Sequence, residues 1–129
     1  MAKKKKKPEK KYRLEISEKQ AYLLQEATEL FARIMMAQFD HISYTLHINH
    51  NLPTESYHKL SDSLRALEHL IYDHTSRRRS DLGDISWDLY QVIRYRLAWG
   101  NFPGGGITVN FHAPMRYSEE ELAKIEEID

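Results

Sequence analysis

Residues Asp84 to Arg116 read DISWDLYQVIRYRLAWGNFPGGGITVNFHAPMR, and the fold class turns on how this stretch divides. Leu89, Ile93 and Leu97 recur at helical spacing, which predicts a helix over about Ser86–Trp99, with Gly100 placed to close it in a left-handed conformation. Beyond the loop Phe102-Pro-Gly-Gly-Gly106, Ile107, Val109 and Phe111 alternate with Thr108, Asn110 and His112, the period-two pattern of a half-buried strand. A strand needs a partner. Tyr12, Leu14 and Ile16 alternate with Arg13 and Glu15, so the two segments are expected to pair. Such a sheet is weak alone and requires helices over its apolar face.

The helices come from the segments between. Ser17-Glu-Lys-Gln20 has the form of a capping box. Leu24, Ala27, Phe31, Ile34, Met35 and Ile42 then predict one continuous helix to about Leu46. At ~1.5 Å per residue it would be a rod of roughly 45 Å, longer than a small domain, so it is expected to project or to pack against a second subunit. Ile48 to Pro53 interrupts the pattern, and Thr54 can cap a second helix carrying Leu60, Leu64, Leu67, Leu70 and Ile71. Thr75 to Gly83 reads as a polar surface loop around Arg77-Arg78-Arg79, and Ser118-Glu-Glu-Glu121 as a capping box opening a short acidic helix. The expected fold is therefore α+β and mostly helical: a long N-terminal helix and two further helices packed on a small two-stranded sheet.

Composition bounds the function. At 129 residues, with 41% hydrophobic content, the chain has room for one core but not two. It has no cysteine, which excludes disulfides, thiolate metal sites and cysteine nucleophiles. No apolar run reaches the roughly 20 residues of a membrane span, and none resembles a signal peptide, so no membrane role is expected and the cytoplasm is the default setting. The net charge of zero hides an asymmetry. Residues 1–11 hold seven lysines and Glu9; without them, 19 basic and 19 acidic residues become 12 and 18. The chain thus divides into a disordered lysine-rich tail, 1–11, and a single acidic domain, 12–129. An acidic body suits duplex nucleic acid poorly, leaving only the tail for that contact. Among the domain's basic residues nine are arginines and three are lysines, a bias expected where planar forks recognise phosphates or interface carboxylates.

Three groups of residues carry candidate chemistry. The seven histidines include His47-x-x-His50, but no HExxH or comparable ligand spacing is present, so surface or interface roles are expected and no metal site is assigned. No catalytic fingerprint occurs, and the acid pairs Glu68/Asp73 and Asp84/Asp88 read as ordinary helix charges, so no catalytic residue is assigned. The third group is aromatic and basic. Tyr90 and Arg94, at i and i+4, share a helix face near Trp87; Asn101 and the glycine loop end that helix, and Arg116 follows the strand. Aromatic faces stack on bases and arginines fork onto phosphates, but Trp87, Tyr90 and Trp99 would equally serve as core, with the arginines in surface pairs. Arg33 interrupts the apolar run FARIMM and requires a partner: an intersubunit acid such as Glu29 or Asp40, or a ligand phosphate.

Three segments, LEISEKQAYLLQEATELFARIMMAQF (14–39), WDLYQVIRYRLAW (87–99) and GGITVNFHAPMR (105–116), together resemble small phage- and prophage-encoded proteins, in particular the phage anti-Thoeris family. The resemblance covers about half the chain. It implies a noncatalytic, cofactor-free signal sponge in the host-cell cytoplasm that sequesters cyclic ADP-ribose isomers of the glycocyclic type, and in some members cyclic oligonucleotides. It also implies a homo-oligomer, a dimer or trimer of dimers, with pockets near subunit interfaces. By order and spacing the residues matching the family's binding groups are Arg33, Arg65, Tyr90, Asn101 and Arg116, with Trp87 or Trp99 as alternative stacking groups. Arg94 joins them from its place beside Tyr90. The rival reading is a phage protein–protein module that inhibits a host enzyme.

Overall fold

The computed structural model describes residues 9–74, 80–107 and 109–128, with no side-chain detail for 72–74. The lysine run Lys3–Lys7 and Arg77–Arg79 lie outside the described residues. Four helices follow one another: α1 (Glu18–Met35), α2 (Asp40–His50), α3 (Thr54–His74) and α4 (Asp81–Asn101). Among the described residues there is no strand, so the expected α+β fold with a two-stranded sheet is corrected to an all-helical one. The physical reason lies in burial. Tyr12 and Leu14 are 89% and 71% exposed and Ile107 is fully exposed, so neither alternating apolar face is buried as a whole; Ile16, Val109 and Phe111 are half-buried, Phe111 against Trp99. Three apolar residues in alternation are too few to hold an isolated ladder.

Helix α1 opens as its sequence indicates. The Gln20 amide donates to Ser17 Oγ at 3.1 Å and the Ser17 amide to Gln20 Oε1 at 2.9 Å. It ends eleven residues before the predicted stop. The Gln38 amide donates to the Arg33 carbonyl (2.8 Å) and the Ala37 amide to the Ile34 carbonyl (2.9 Å), with Ala37 at φ 55°. These paired bonds form a Schellman closure around a left-handed residue, here an alanine where glycine is usual. The long predicted helix is therefore two helices with a turn between them.

Helix α4 begins earlier than predicted, at Asp81, because Ser80 Oγ accepts from the Gly83 amide at 3.0 Å. Gly83 serves a close approach: a Cβ built there would lie 3.1 Å from Met35 Cβ. Gly100 is not a left-handed cap. The helix runs through it to Asn101, and the Phe102 amide closes on the Ala98 carbonyl at 2.8 Å.

Helices α1 and α4 pack antiparallel along their lengths. Gly83 meets Met35, Ser86 Oγ donates to the Thr28 carbonyl (2.7 Å), and Asn101 Nδ2 donates to Tyr22 Oη (2.6 Å). Small residues, with Ala21 buried and Ala32 at 0% exposure, let the backbones approach around Trp87, Val92, Ile93 and Ala98. Leu89 and Leu97 are only half-buried. Helices α2 and α3 form a second antiparallel pair. Ser43 and Ser61 hydroxyls meet at 2.8 Å, His47 and Tyr57 rings at 4.9 Å, and the Phe39 amide donates to Glu68 Oε1 at 2.7 Å. Glu68 thus satisfies an amide at the open end of α2 rather than standing as a free helix charge. At α3, the Pro53 carbonyl accepts from the Tyr57 amide at 2.8 Å, and the helix starts at Thr54 itself.

The C-terminal segment is not a helix. Residues 121–128 carry no regular structure, and Ser118 is used elsewhere. Asp88, buried on α4, accepts from the Tyr117 amide (2.6 Å), the Ser118 amide (3.2 Å) and the Ser118 hydroxyl. Ser118 therefore pins the tail to α4 instead of capping a helix. Tyr117 stacks on Trp87 with centroids 5.6 Å apart. Among the described residues no helix is long and apolar enough to cross a membrane.

Candidate ligand-binding cleft

The turn at Ala37 builds the site. It folds α2 back so that Asp40, His41 and Tyr44 face Glu29 and Arg33 of α1, and Tyr57 of α3 closes the far side. These six residues line an open cleft of about 420 Å³, within the size range of small-molecule pockets.

Glu29 is the hub of the charged wall. Its mostly buried carboxylate lies 3.2 Å from His41 Nε2 and 3.6 Å from Arg33 Nη2. It also takes a hydrogen bond from the Tyr90 hydroxyl, reached from α4. Burial is the main cause that pushes the Tyr90 phenol above its ordinary range, and the negative Glu29 adds to it; Arg94 and Arg33 oppose. Arg33 is held from several sides. Its Nη1 donates to Gln38 Oε1 at 2.8 Å and its guanidinium lies 5.2 Å from the Trp87 ring centre. Its buried Nε has no hydrogen-bond partner, and His41 Nε2 approaches Glu29 without hydrogen-bond alignment. A buried N–H left unpaired costs on the order of 1–3 kcal/mol. The exposed third of the Arg33 side chain is the part that can face the cleft. Tyr44 and Tyr57 supply flat apolar faces, and His41 stacks with Tyr44 at 5.6 Å.

The residues expected from sequence separate into two groups. Arg33, Tyr90 and Arg94 are brought together: Tyr90 joins Glu29 beside Arg33, and the Arg94 guanidinium lies 5.8 Å from the Tyr90 ring centre. Arg65, Asn101 and Arg116 are placed elsewhere. Arg65 is exposed on α3 and lies 3.7 Å from Asp62. Asn101 bonds Tyr22 at the opposite end of the α1–α4 pair from the Ala37 turn. Arg116 donates to the carbonyls of Ser118 (2.8 Å) and Glu120 (2.6 Å), holding the tail's own backbone. Of the alternative stacking groups, Trp87 is buried, edge-on to Tyr90 at 5.6 Å, and donates to Met36 Sδ at 3.0 Å. Trp99 packs edge-on against Phe111 at 4.9 Å and over Gly105, whose φ of 84° is the left-handed turn of the glycine loop.

Sequence reading assigned no binding role to Glu29, His41, Tyr44 and Tyr57, and took Asp88 for an ordinary charge. Glu29 and Arg33 at i,i+4 was the legible signal, because that spacing makes a helix pair. The other residues reach them through a turn that no glycine announced. His47 Nδ1 lies 2.7 Å from the Leu52 carbonyl, and among the described residues no three His, Asp or Glu side chains converge as a metal site would. No protein-family model matches this chain, and neither the curated proteins nor the solved structures yield a match.

Proposed function

We propose that this protein is a noncatalytic binding protein that sequesters a small cyclic nucleotide, of the glycocyclic ADP-ribose type or a cyclic oligonucleotide, in the cytoplasm of a phage-infected cell. The observation that carries the reading is the Arg33 side chain, one-third exposed at the wall of a 420 Å³ cleft that Tyr44 and Tyr57 also line. A phosphate oxygen would accept from the exposed part of the Arg33 guanidinium, and Tyr44 or Tyr57 would give the base a stacking face, at about 1–3 kcal/mol. Glu29 is committed to Arg33, His41 and Tyr90, which supports storage of the ligand rather than its hydrolysis. The anti-defence role itself rests on the resemblance of segments 14–39, 87–99 and 105–116.

A saturating ligand stabilises the fold by about 2.7 kcal/mol at a hundred times its Kd, so binding registers as a raised thermal midpoint. A panel of cyclic ADP-ribose isomers and cyclic oligonucleotides should include at least one that raises it. Arg33→Met should abolish that rise, and ligand released by heat should return chemically intact. A midpoint indifferent to the whole panel would sink the proposal, and altered product would turn it into an enzyme.

A second reading, a module that inhibits a host enzyme, is favoured by one observation. Phe31 and Ile34 on α1 and Leu67, Leu70 and Ile71 on α3 are exposed large apolar side chains of the kind that anchor a partner.

A further inference from the structure

From Leu97 to Met115 the chain holds no Asp, Glu, Lys or Arg, although 29% of its residues are charged. Within this stretch the glycine loop leaves α4 with Phe102 half exposed and Ile107 exposed completely. The loop is anchored from beneath: Trp99 meets Phe111 edge-on at 4.9 Å and lies 3.6 Å from where a Cβ on Gly105 would stand. The Tyr22–Asn101 bond sets the start of α1 beside the end of α4, so the arm ahead of Ser17 and the loop after Asn101 leave the body at one end. Residues 9–15 of that arm are exposed and without regular structure, Tyr12 and Leu14 among them. Residues 1–19 carry nine basic side chains against Glu9, Glu15 and Glu18; Lys3–Lys7, outside the described residues, supply five of the nine. Lys11 is engaged by Glu121 at 2.9 Å.

We propose that this end of the molecule docks on the surface of an anionic lipid bilayer, the lysine arm on the headgroup phosphates and Phe102 and Ile107 in the apolar layer beneath them. Charge complementarity selects the arm's partner. Each lysine close to an anionic bilayer strengthens binding about fivefold. The arm has no arginine before Arg13, so it lacks a planar fork aimed at one defined phosphate and suits a sheet of them. The uncharged loop decides between polyanions. A nucleic acid also attracts lysines and offers Tyr12 a base to stack on, but it has no layer to receive the aliphatic Ile107. A bilayer receives both, and it penalises charge on whatever enters it, which the stretch from Leu97 to Met115 avoids. A basic segment or an apolar group alone anchors weakly, whereas stable attachment takes two signals, and both stand at this end. Among the described residues no helix can cross the membrane, so the contact is with its surface. It rests on the arm and the loop and not on the cleft, and either reading can fail alone.

The full chain should cosediment with vesicles of mixed phosphatidylcholine and phosphatidylglycerol, release as salt is raised, and ignore vesicles of phosphatidylcholine alone. Replacing Lys3 to Lys7 together by glutamine should weaken the binding roughly a hundredfold or more. Ile107→Asp should weaken it roughly tenfold with unchanged helical circular dichroism, because the fully exposed Ile107 holds nothing in the fold, and Ile107→Leu should bind like the parent. Failure to cosediment with the mixed vesicles overturns the proposal, as does equal binding to phosphatidylcholine alone. Binding that Ile107→Asp leaves intact also overturns it, since the loop would then take no part. Tighter capture by a single-stranded oligonucleotide than by the mixed vesicles would give the surface to nucleic acid instead.

Discussion

Helices α3 and α4 are the same length, 21 residues each, and their fates differ. Helix α4 buries Trp87, Val92, Ile93 and Ala98 together with the polar Ser86, Asp88 and Gln91. Of the described side chains of α3, only Ser61 and Leu64 are buried, and Leu67, Leu70 and Ile71 stand exposed. Yet α3 has the cleaner one-sided stripe. A clean stripe marks a helix that can dock on one side, whereas a helix contacted by α1 on one side and by the C-terminal tail on another needs burial all round. Centrality comes from how many neighbours a helix has, and α4 has the tail, pinned through Asp88 and Tyr117, as well as α1.

The sharpest way to break this contrast is at Trp87. Trp87→Ala should cost about 3–5 kcal/mol, since the indole underlies Tyr117, Tyr90 and the Arg33 guanidinium together; chemical denaturation would measure it. Asp88→Ala leaves the Tyr117 and Ser118 amides without their acceptor and should cost about 2–3 kcal/mol, with proteolysis of the tail accelerating well before global unfolding. If the tail stays protected in that variant, α4 is central without it. Leu64→Ala, the buried apolar position of α3, should cost roughly 2 kcal/mol, at the lower end for core leucines because its helix is half open. Leu70→Ala should fall within ~0.5 kcal/mol of the parent. A loss comparable to that of Leu64 would show that α3 is covered in solution.

Alkaline pH tests the charged wall. The Tyr90 phenol titrates above its ordinary value in the folded chain, so the protonated form is the one that folding favours. Its contribution is fully present below about pH 10, where the unfolded phenol ionises, and is lost as pH rises through the higher folded value. Stability should decline through that window, and Tyr90→Phe should flatten the decline.

How much of this was legible depended on whether the signal was local. The capping box at Ser17–Gln20 lies within one turn and was read correctly. The box at Ser118–Glu121 has the same form, yet its serine went to Asp88, thirty residues away in sequence. The turn at Ala37 was hidden because alanine takes a left-handed conformation only under outside constraint, at roughly 1–2 kcal/mol. With the turn hidden, the cleft was hidden too: Glu29 and Arg33 were visible as a helix pair, but His41, Tyr44 and Tyr57 join them only after the chain reverses. The strands failed for a related reason. Alternation at Tyr12–Ile16 and Ile107–Phe111 describes a face, and a face forms a sheet only when something buries it.

The sequence by itself determined that the chain is mostly helical, where α1 starts, that α3 runs from about Thr54, and that Arg33 would need a partner inside an apolar run. Those features depend on contacts within a few turns, where spacing and capping chemistry act directly. Tertiary structure alone decided that α4 is central, that α1 and α2 are separate, and that Glu29, Arg33, His41 and Tyr90 form one wall. Burial and hydrogen bonds between distant segments fix those outcomes, and local spacing carries no record of which distant group will arrive.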